Sequence, residues 1–318
     1  MPPSPRTLVA KVSVVIPTYN RRDTLGEAID SVLHQTYTDF EIIVVDHGST
    51  DGSYEWVSKT YGNSLCVIRV DFCPLPACPR NHGIKAAQGE YVAFLDSDDL
   101  WLPQKLDRQI KALETRPELG WSYGKAERFG PGIQEGTPEI GWWQLRSGHI
   151  LPDLLMNSFI PCCTVVVRKS CFPIVGLFDE TPALRTTEDY ELWIRLAAHF
   201  PVHAVRQTIA RYRVTDDNLS KDLSKRFAIE KLALERASEK LQLAPATRQQ
   251  AIAGLHLRMF RYLVHTDPAQ ARAHLDEAWK RHRTRPRILL YQILVSLTGM
   301  DGMRRWIQGE RRLKQLLG

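Results

Sequence analysis

The run YVAFLDSDD, residues 91–99, sets five mostly apolar residues directly against three carboxylates. Tyr91–Leu95 reads as a short buried strand, and Gly89 just upstream closes a preceding helix over Arg80–Gln88. Working outward, the same alternation repeats. Val12–Ile16 is a β-branched strand stopped by Pro17, and Glu41–Asp46 (EIIVVD) is a second, ended by the turn-rich string HGSTDGS. Leu65–Val70 is a third. Between the first two lies a helix in which Thr24 and Glu27 form a capping box and Leu25, Ala28, Ile29, Val32 and Leu33 share a face. Pro103 opens another helix to about Arg116. Strands alternating with helices imply an α/β fold whose mostly parallel sheet is covered on both faces.

The remainder is organised differently. Residues 128–150, rich in Gly and Pro and holding Trp142 and Trp143, read as a long loop. Thr164–Val167 is a further strand. Glu188–His199 is a helix with Leu192, Trp193, Leu196 and Phe200 on its apolar stripe. From about Asp222 only helical periodicity appears, with Asp267 and Pro268 as a cap and first helical residue. These features divide the chain into an α/β domain over 8–220 and a helical region over 221–318. Charge divides the same way: residues 221–318 carry 20 Lys and Arg against 9 Asp and Glu, and residues 1–220 carry 22 against 27. An acidic front and a basic tail imply separate tasks.

Composition excludes several classes. With 43% hydrophobic and 25% charged residues in 318, the chain is neither disordered nor fibrous. The run Ile288–Met300 is too short to cross a bilayer. The start MPPSPRT carries no apolar signal core, so a cytoplasmic location is expected. Six cysteines are too few for a disulfide scaffold; Cys73 and Cys78, and the adjacent Cys162 and Cys163, match no zinc spacing and read as idle or buried thiols.

In an open parallel sheet, ligands bind beyond the carboxyl ends of the strands. Two strands here end in carboxylates, Asp46 and Asp96, and Asp98 and Asp99 follow the second. Carboxylates this close repel unless a cation sits among them, and oxygen ligands suit Mg²⁺ or Mn²⁺; the alternative is a turn that caps the next helix. No glycine-rich phosphate cradle is present, so a metal and side chains would hold a diphosphate that leaves. Arg80 would add a fixed positive charge, or is a solvated arginine at a helix start. Glu188 and Asp189 either complement a helix dipole, with Thr187 as cap, or include a general base aimed at a hydroxyl.

Three ordered motifs now carry a likeness. VSVVIPTYNRRDTLGEAIDSVLHQTYTDFEIIVVDHGSTDGS (12–53), PRNHGIKAAQGEYVAFLDSDD (79–99), and GLFDE with EDYELWIRL (176–180, 188–196) closely resemble the inverting family 2 glycosyltransferases of GT-A fold, over about residues 10–215. The resemblance implies a nucleotide-sugar donor with Pro17, Tyr19, Asp46, His47, Arg80 and Asp96 lining its site. It makes Asp96 and Asp98 the DxD pair that meets the ribose and a divalent ion (Mn²⁺ or Mg²⁺), and Asp189 the catalytic base, with Glu188 beside it on the acceptor side. Two positions depart from the family pattern. His47 stands where a second Asp is common, which leaves the base open. Thr215 stands after RYRV where many relatives have histidine.

Trp142 or Trp143 is expected against the acceptor sugar, the alternative being an ordinary anchoring tryptophan. The basic stretches 281–287 (RHRTRPR) and 304–314 (RRWIQGERRLK) lie beside Ile288, Leu289, Leu290 and Trp306. They suit an anionic membrane surface, which would place the protein on the inner face of the cell membrane, or form a solvated helical face. No nucleic-acid motif is present. The expectation is an enzyme acting on a glycan or lipid-linked acceptor in cell-surface polysaccharide synthesis. The alternatives are a catalytically silent nucleotide-sugar-binding module and a phosphotransfer enzyme with Asp96 as nucleophile.

Overall fold

A computed structural model describes residues 10–139, 145–214 and 223–316. Among these residues the chain parts into two compact units. One runs to Ile150 and resumes at Phe159; the other takes Leu151–Ser158 together with the residues beyond 220.

The first unit is built on an eight-stranded sheet. Its strands are β1 (Val12–Thr18), β2 (Phe40–Asp46), β3 (Cys66–Arg69), β4 (Tyr91–Phe94), β5 (Leu100–Trp101), β6 (Trp121–Phe129), β7 (Val166–Arg168) and β8 (Val202–Arg213), in the order β3-β2-β1-β4-β7-β6-β8-β5. β3, β2, β1 and β4 are mutually parallel, while β7 pairs antiparallel with β4 and β6. β1 and β4 are buried at every residue, as strands covered on both faces must be. The register Thr18↔Asp46 and Val15↔Phe94 brings the ends of β1, β2 and β4 to one rim.

Several local expectations need correction. Pro17 does not stop β1, which continues to Thr18. The pairing with β4 ends at Val15↔Phe94, so the missing Pro17 N–H forfeits no bond there. The helix α1 (Arg22–Leu33) starts ahead of Thr24, whose hydroxyl faces the Arg21 carbonyl, so there is no capping box; Glu27 pairs with Arg213 at 2.7 Å. Leu25, Ala28, Ile29 and Val32 are buried, but Leu33 is exposed. The turn after β2 leads into a helix, α2 (Ser53–Tyr61), whose polar start hid its periodicity. β6 and β8 also escaped the sequence reading, since charged residues interrupt them (WSYGKAERF, VHAVRQTIARYR). Cys73 and Cys78 are not idle thiols but a disulfide, whereas Cys162 and Cys163 are buried thiols as expected.

The helix after β3, α3 (Ala77–Ala86), begins a turn before Arg80, and Gly89 does not cap it. Its approach to the sheet depends on Gly83, where a Cβ would lie 2.3 Å from Val15 Cγ1. α4 (Lys105–Thr115) follows β5. Two short helices, α5 (Leu151–Met156) and α6 (Phe172–Val175), precede α7 (Glu188–His199), which the sequence reading places correctly. On α7, Leu192, Trp193 and Leu196 are buried, and Trp193 stacks on Trp121 of β6 with ring centroids 5.9 Å apart.

The second unit contains α5 with α8 (Leu223–Lys240), α9 (Pro245–Leu263), α10 (Pro268–Arg281) and α11 (Pro286–Leu316). Asp267 caps α10 by accepting from the Gln270 N–H, with Pro268 at the first helical position. Phe260, Leu275, Ile288, Tyr291, Met303 and Ile307 form its core. Ile288 therefore belongs inside, and the outward apolar residues of α11 ahead of Gly299 are Leu289, Leu290, Ile293 and Leu297, the last 77% exposed, with Trp306 exposed beyond it. A break at Gly299, with φ of 65°, ends that segment. No helix among the described residues is long and apolar enough to cross a membrane.

Gly83→Ala is expected to lower unfolding free energy by about 1–3 kcal/mol, because the added methyl forces α3 off β1. Gly136, which has open space around its Cβ direction but a positive φ of 75°, should cost about 1 kcal/mol when changed to Ala, through backbone strain alone. Urea denaturation of both variants measures the difference.

Candidate functional site

The carboxyl-end rim of β1, β2 and β4 gathers most of the expected residues. Asp46, last in β2, is fully buried. Its Oδ1 accepts from the N–H groups of Gly48 (3.2 Å) and Ser49 (3.0 Å), which fixes the turn after the strand. Its Oδ2 is buried with no partner among the described residues, as is the hydroxyl of Thr18, its register neighbour.

Three aromatic rings stand over this end. Tyr19 lies 5.2 Å from His47 and 5.0 Å from Phe72, centroid to centroid, and His47 is nearly parallel to Phe72 at 6.3 Å. Tyr19 and Phe72 are exposed while His47 is buried. Phe72 was not legible as a site residue; it precedes the Cys73–Cys78 disulfide in an irregular stretch. Gly48, at φ of 88°, allows the approach, since a Cβ there would meet Phe72 Cβ at 3.0 Å. Phe72 and Gly48 also line a cavity of about 800 Å³, with Arg69, Asp71, Cys73, His82 and Glu180 among its other walls; Tyr19 and His47 do not line it.

Arg80 is the centre of the rim. One η nitrogen donates to Asp96 Oδ1 at 2.5 Å and the other to Glu188 Oε1 at 2.7 Å, and its guanidinium carbon lies 5.5 Å from the centre of the Phe178 ring. Arg80 is neither solvated nor free to grip a diphosphate with its η nitrogens; it ties the end of β4 to the start of α7. Arg80 Nε and Glu188 Oε2 remain buried without partners among the described residues. Four orphaned polar atoms on one rim are unusual, because each costs about 1–3 kcal/mol unless a ligand or water meets it.

Asp98 and Asp99 follow in a turn closed by the Asp99 N–H to the Asp96 carbonyl at 3.1 Å. The turn leads into β5, so neither acid caps a helix. Asp99 is buried and accepts from the Arg213 N–H at 2.9 Å, while Arg213 Nε donates to the Asp98 carbonyl at 2.7 Å. The Asp98 carboxylate has Arg21 Nε at 3.7 Å. Burial first, then Asp96, pushes the Asp98 carboxyl above its usual range, and burial, Asp98 and Asp96 push Asp99 well above it. Among the described residues no three acids, histidines or cysteines converge as a ready metal cage. What fits a divalent cation is the chemistry of the donors: Asp96 and Asp98 offer carboxylate oxygens close in sequence at one strand end.

Asp189 opens α7 beside Glu188. Thr187 does not cap this helix; its hydroxyl donates to the Leu184 carbonyl, and Asp189 Oδ1 instead accepts from the Tyr190 N–H at 2.7 Å. Thr186, just before, holds a positive φ of 79°. Burial, then Glu188, push the Asp189 carboxyl up to about 7, against the opposing charge of Arg80. The Cys162 thiol is buried within the field of the same Arg80, Asp96, Glu188 and Asp189. Trp142, Trp143 and Thr215 lie outside the described residues.

Arg80→Met leaves Asp96 and Glu188 unneutralised and should cost about 3–5 kcal/mol of stability. Adding Glu188→Gln should recover part of that loss, and a double-mutant cycle in urea measures the coupling.

Residues 13–166 match the glycosyl transferase family 2 profile. A Bacillus subtilis protein named as a teichuronic acid biosynthesis glycosyltransferase, TuaG, is 30% identical over 66% of this chain and 81% of its own length. WfaP of Escherichia coli, a UDP-Glc:α-D-GlcNAc-diphosphoundecaprenol β-1,3-glucosyltransferase, is 31% identical over 58% of this chain and 69% of its own. The chain spans only 29–64% of several uncharacterized rickettsial glycosyltransferases that it matches. In fold, S. aureus TarS 1–349 in complex with UDP-GlcNAc superposes with a TM-score of 0.63 at 18% identity, over 95% of this chain and 92% of that one. The mannosyltransferase PcManGT of Pyrobaculum calidifontis, in complex with GDP-Man and Mn²⁺, superposes with a TM-score of 0.60 at 20% identity, over 95% and 84%. The rim acids, the mixed sheet and these likenesses agree: the chain belongs to glycosyl transferase family 2 and has its GT-A fold.

Proposed function

We propose that this glycosyltransferase is inverting and uses a divalent metal. It moves a sugar from a nucleoside-diphosphate sugar to a hydroxyl of a lipid-linked or polysaccharide acceptor. The observation that carries the reading is Asp189: a carboxylate on a rigid helix start, tied through neighbouring Glu188 and Arg80 to Asp96, with its proton affinity tuned near neutrality. In this reading Asp189 takes the proton of the acceptor hydroxyl. The oxygen then forms its bond to the anomeric carbon as the carbon's bond to the diphosphate breaks on the opposite face, and the nucleoside diphosphate departs with that electron pair. A metal held by Asp98 and Asp96 would supply charge neutralisation for the diphosphate. Asp46, Pro17, Tyr19 and His47 would bound the nucleoside, and the orphaned Asp46 Oδ2 and Thr18 hydroxyl would find partners there.

The names of WfaP and TuaG support a lipid-linked or polysaccharide acceptor for this chain. A surface suited to reaching such an acceptor exists on α11, where Leu289, Leu290, Ile293 and Leu297 face outward. Some of the nearby arginines are already paired, Arg281 with Glu277 and Arg287 with Glu310. The reading is therefore shallow interfacial binding in which apolar insertion dominates and anionic headgroups assist. Ile293→Asp with Leu297→Asp should abolish flotation of the full chain with vesicles of 30% anionic lipid (about that fraction is ample for surface attraction) while leaving its melting temperature unchanged. Retained flotation removes this face from the reading.

Asp189→Asn should lower kcat by about 10²–10⁴-fold with donor affinity unchanged. In the wild type, kcat should rise with pH through an apparent pKa of about 7, because the ionised form is the base. Stability runs the other way. A carboxyl raised in the fold destabilises progressively as pH climbs from the ordinary range to about 7, so Asp189→Asn should melt higher than wild type at pH 8. A variant that turns over normally, or a flat acid limb, removes Asp189 from this role.

A further inference from the structure

The helices divide between the two faces of the sheet. Along β1 and β4, Val14, Ile16 and Ala93 share a core with Leu106 and Ile110 of α4. The residues that alternate with them point the other way: Val15 meets α3 at Gly83, and Phe94 meets Trp193 of α7 at 6.1 Å between ring centres. α4 therefore covers the face away from α3 and α7, the helices that carry Arg80 and Asp189.

α4 and the first half of β8 supply most of the walls of a cavity of about 860 Å³, and none of its described walls belongs to the rim. Such a volume suits a ligand rather than a single ion. Arg108, Lys111, Arg116 and Arg206 bring four positive charges to it against one acid, Asp107. The side chains of Lys111, Arg116 and Arg206 have no ion pair or hydrogen bond among the described residues. His203, another wall, has its Nδ1 buried with no partner among the described residues, and burial first, then Arg116, lower its proton affinity. Uncompensated positive charge in a concave wall is the condition that an anion relieves.

The other groups fit a sugar. Gln104 gives its side-chain oxygen to Arg108 and keeps its amide hydrogens, and the Ser147 hydroxyl accepts from the Ala204 N–H at 3.0 Å and keeps its own. No Phe, Tyr or Trp is among the described walls, so nothing there stacks a nucleobase. Ala204 and Val205 are their only apolar members, and a concave site does not fit a flat bilayer.

We propose that this cavity is a second binding site, separate from the transfer rim, for a segment of an acidic glycan. The arginines and Lys111 grip its carboxylate or phosphate groups, and the side-chain amides and Ser147 meet its hydroxyls. The inference goes beyond the transfer reading and needs neither the metal nor Asp189, so each stands if the other fails.

The test is calorimetric binding of tetragalacturonate, maltotetraose 1-phosphate, neutral maltotetraose, pyrophosphate and tetraglutamate to the full chain, without nucleotide or metal. One of the two acidic glycans should bind tightest, the better of them identifying the charged group. Maltotetraose should be weaker by about 10-fold or more, the effect of losing a charge-assisted contact. Lys111→Ala and Arg206→Ala, both at exposed positions, should each weaken that binding about 10-fold with the melting temperature unchanged. In ¹⁵N spectra the His203 ring signals, assigned with His203→Gln, should move when the tighter glycan is added, which places it here and not at the rim. Maltotetraose, pyrophosphate or tetraglutamate binding as tightly as the better acidic glycan overturns the inference. So do unmoved His203 signals, unaltered affinity in either variant, or failure of every probe to bind, and all of these leave the transfer reading intact.

Discussion

A single buried guanidinium decides how the rim of the sheet is built. Arg80 sits on α3 and is brought over the sheet because Gly83, one turn on, lets that helix touch Val15. From there it reaches Asp96 beyond β4 and Glu188 on α7, parts of the chain 108 residues from it in the second case. Such a triad is poor evidence for stability, because removing charges from water costs about as much as their attraction returns. Its consequence is geometric. Once α3 is seated, the donor-side carboxylate and the start of the helix bearing Asp189 cannot separate without leaving a buried ion unpaired.

The same guanidinium bears on the proton affinity of Asp189. One positive charge faces Asp96, Glu188 and Asp189, so it cannot offset all three. Asp96 and Glu188 each hold one η nitrogen, and the acid that holds none, Asp189, is pushed up to about 7 by burial and by Glu188. A base for a hydroxyl is most effective when its pKa lies near the working pH. In the proposed reaction, the carboxylate that does not hold the arginine is the one left to take the proton. On the other side, burial and Asp96 raise the Asp98 carboxyl against Arg21 at 3.7 Å and Arg213, a condition that a bound cation would relieve.

What the sequence disclosed follows from how far each signal reaches. Buried parallel strands such as β1, β2 and β4 are continuous apolar runs, and α7 carries its stripe openly, so all four were legible with their acids. β6 and β8 were not, because Lys125, Glu127, Arg206 and Arg211 break the apolar pattern on the solvent side of the sheet. α2 was hidden by its polar first turn. Side-chain roles were harder still. The residue type made Arg80 look like a phosphate ligand, yet its partners are 16 and 108 positions away, and nothing local announces them. Phe72 and the Cys73–Cys78 link lie in a loop without periodicity, so only the fold places them beside Tyr19 and His47.

The two sides of the rim differ in what holds them. Asp96 and Glu188 are set by a strand end, a helix start and the Arg80 guanidinium they share, so changing either one disturbs the other. His47, Tyr19 and Phe72 are held by a backbone carbonyl, ring contacts and a glycine turn, none of which involves the triad. A substitution at position 47 can thus leave the Arg80 ion pairs in place. The His47 ring meets the Cys73 carbonyl at 2.9 Å, so its position is set by the loop after β3 and not by the acids at the other side of the rim.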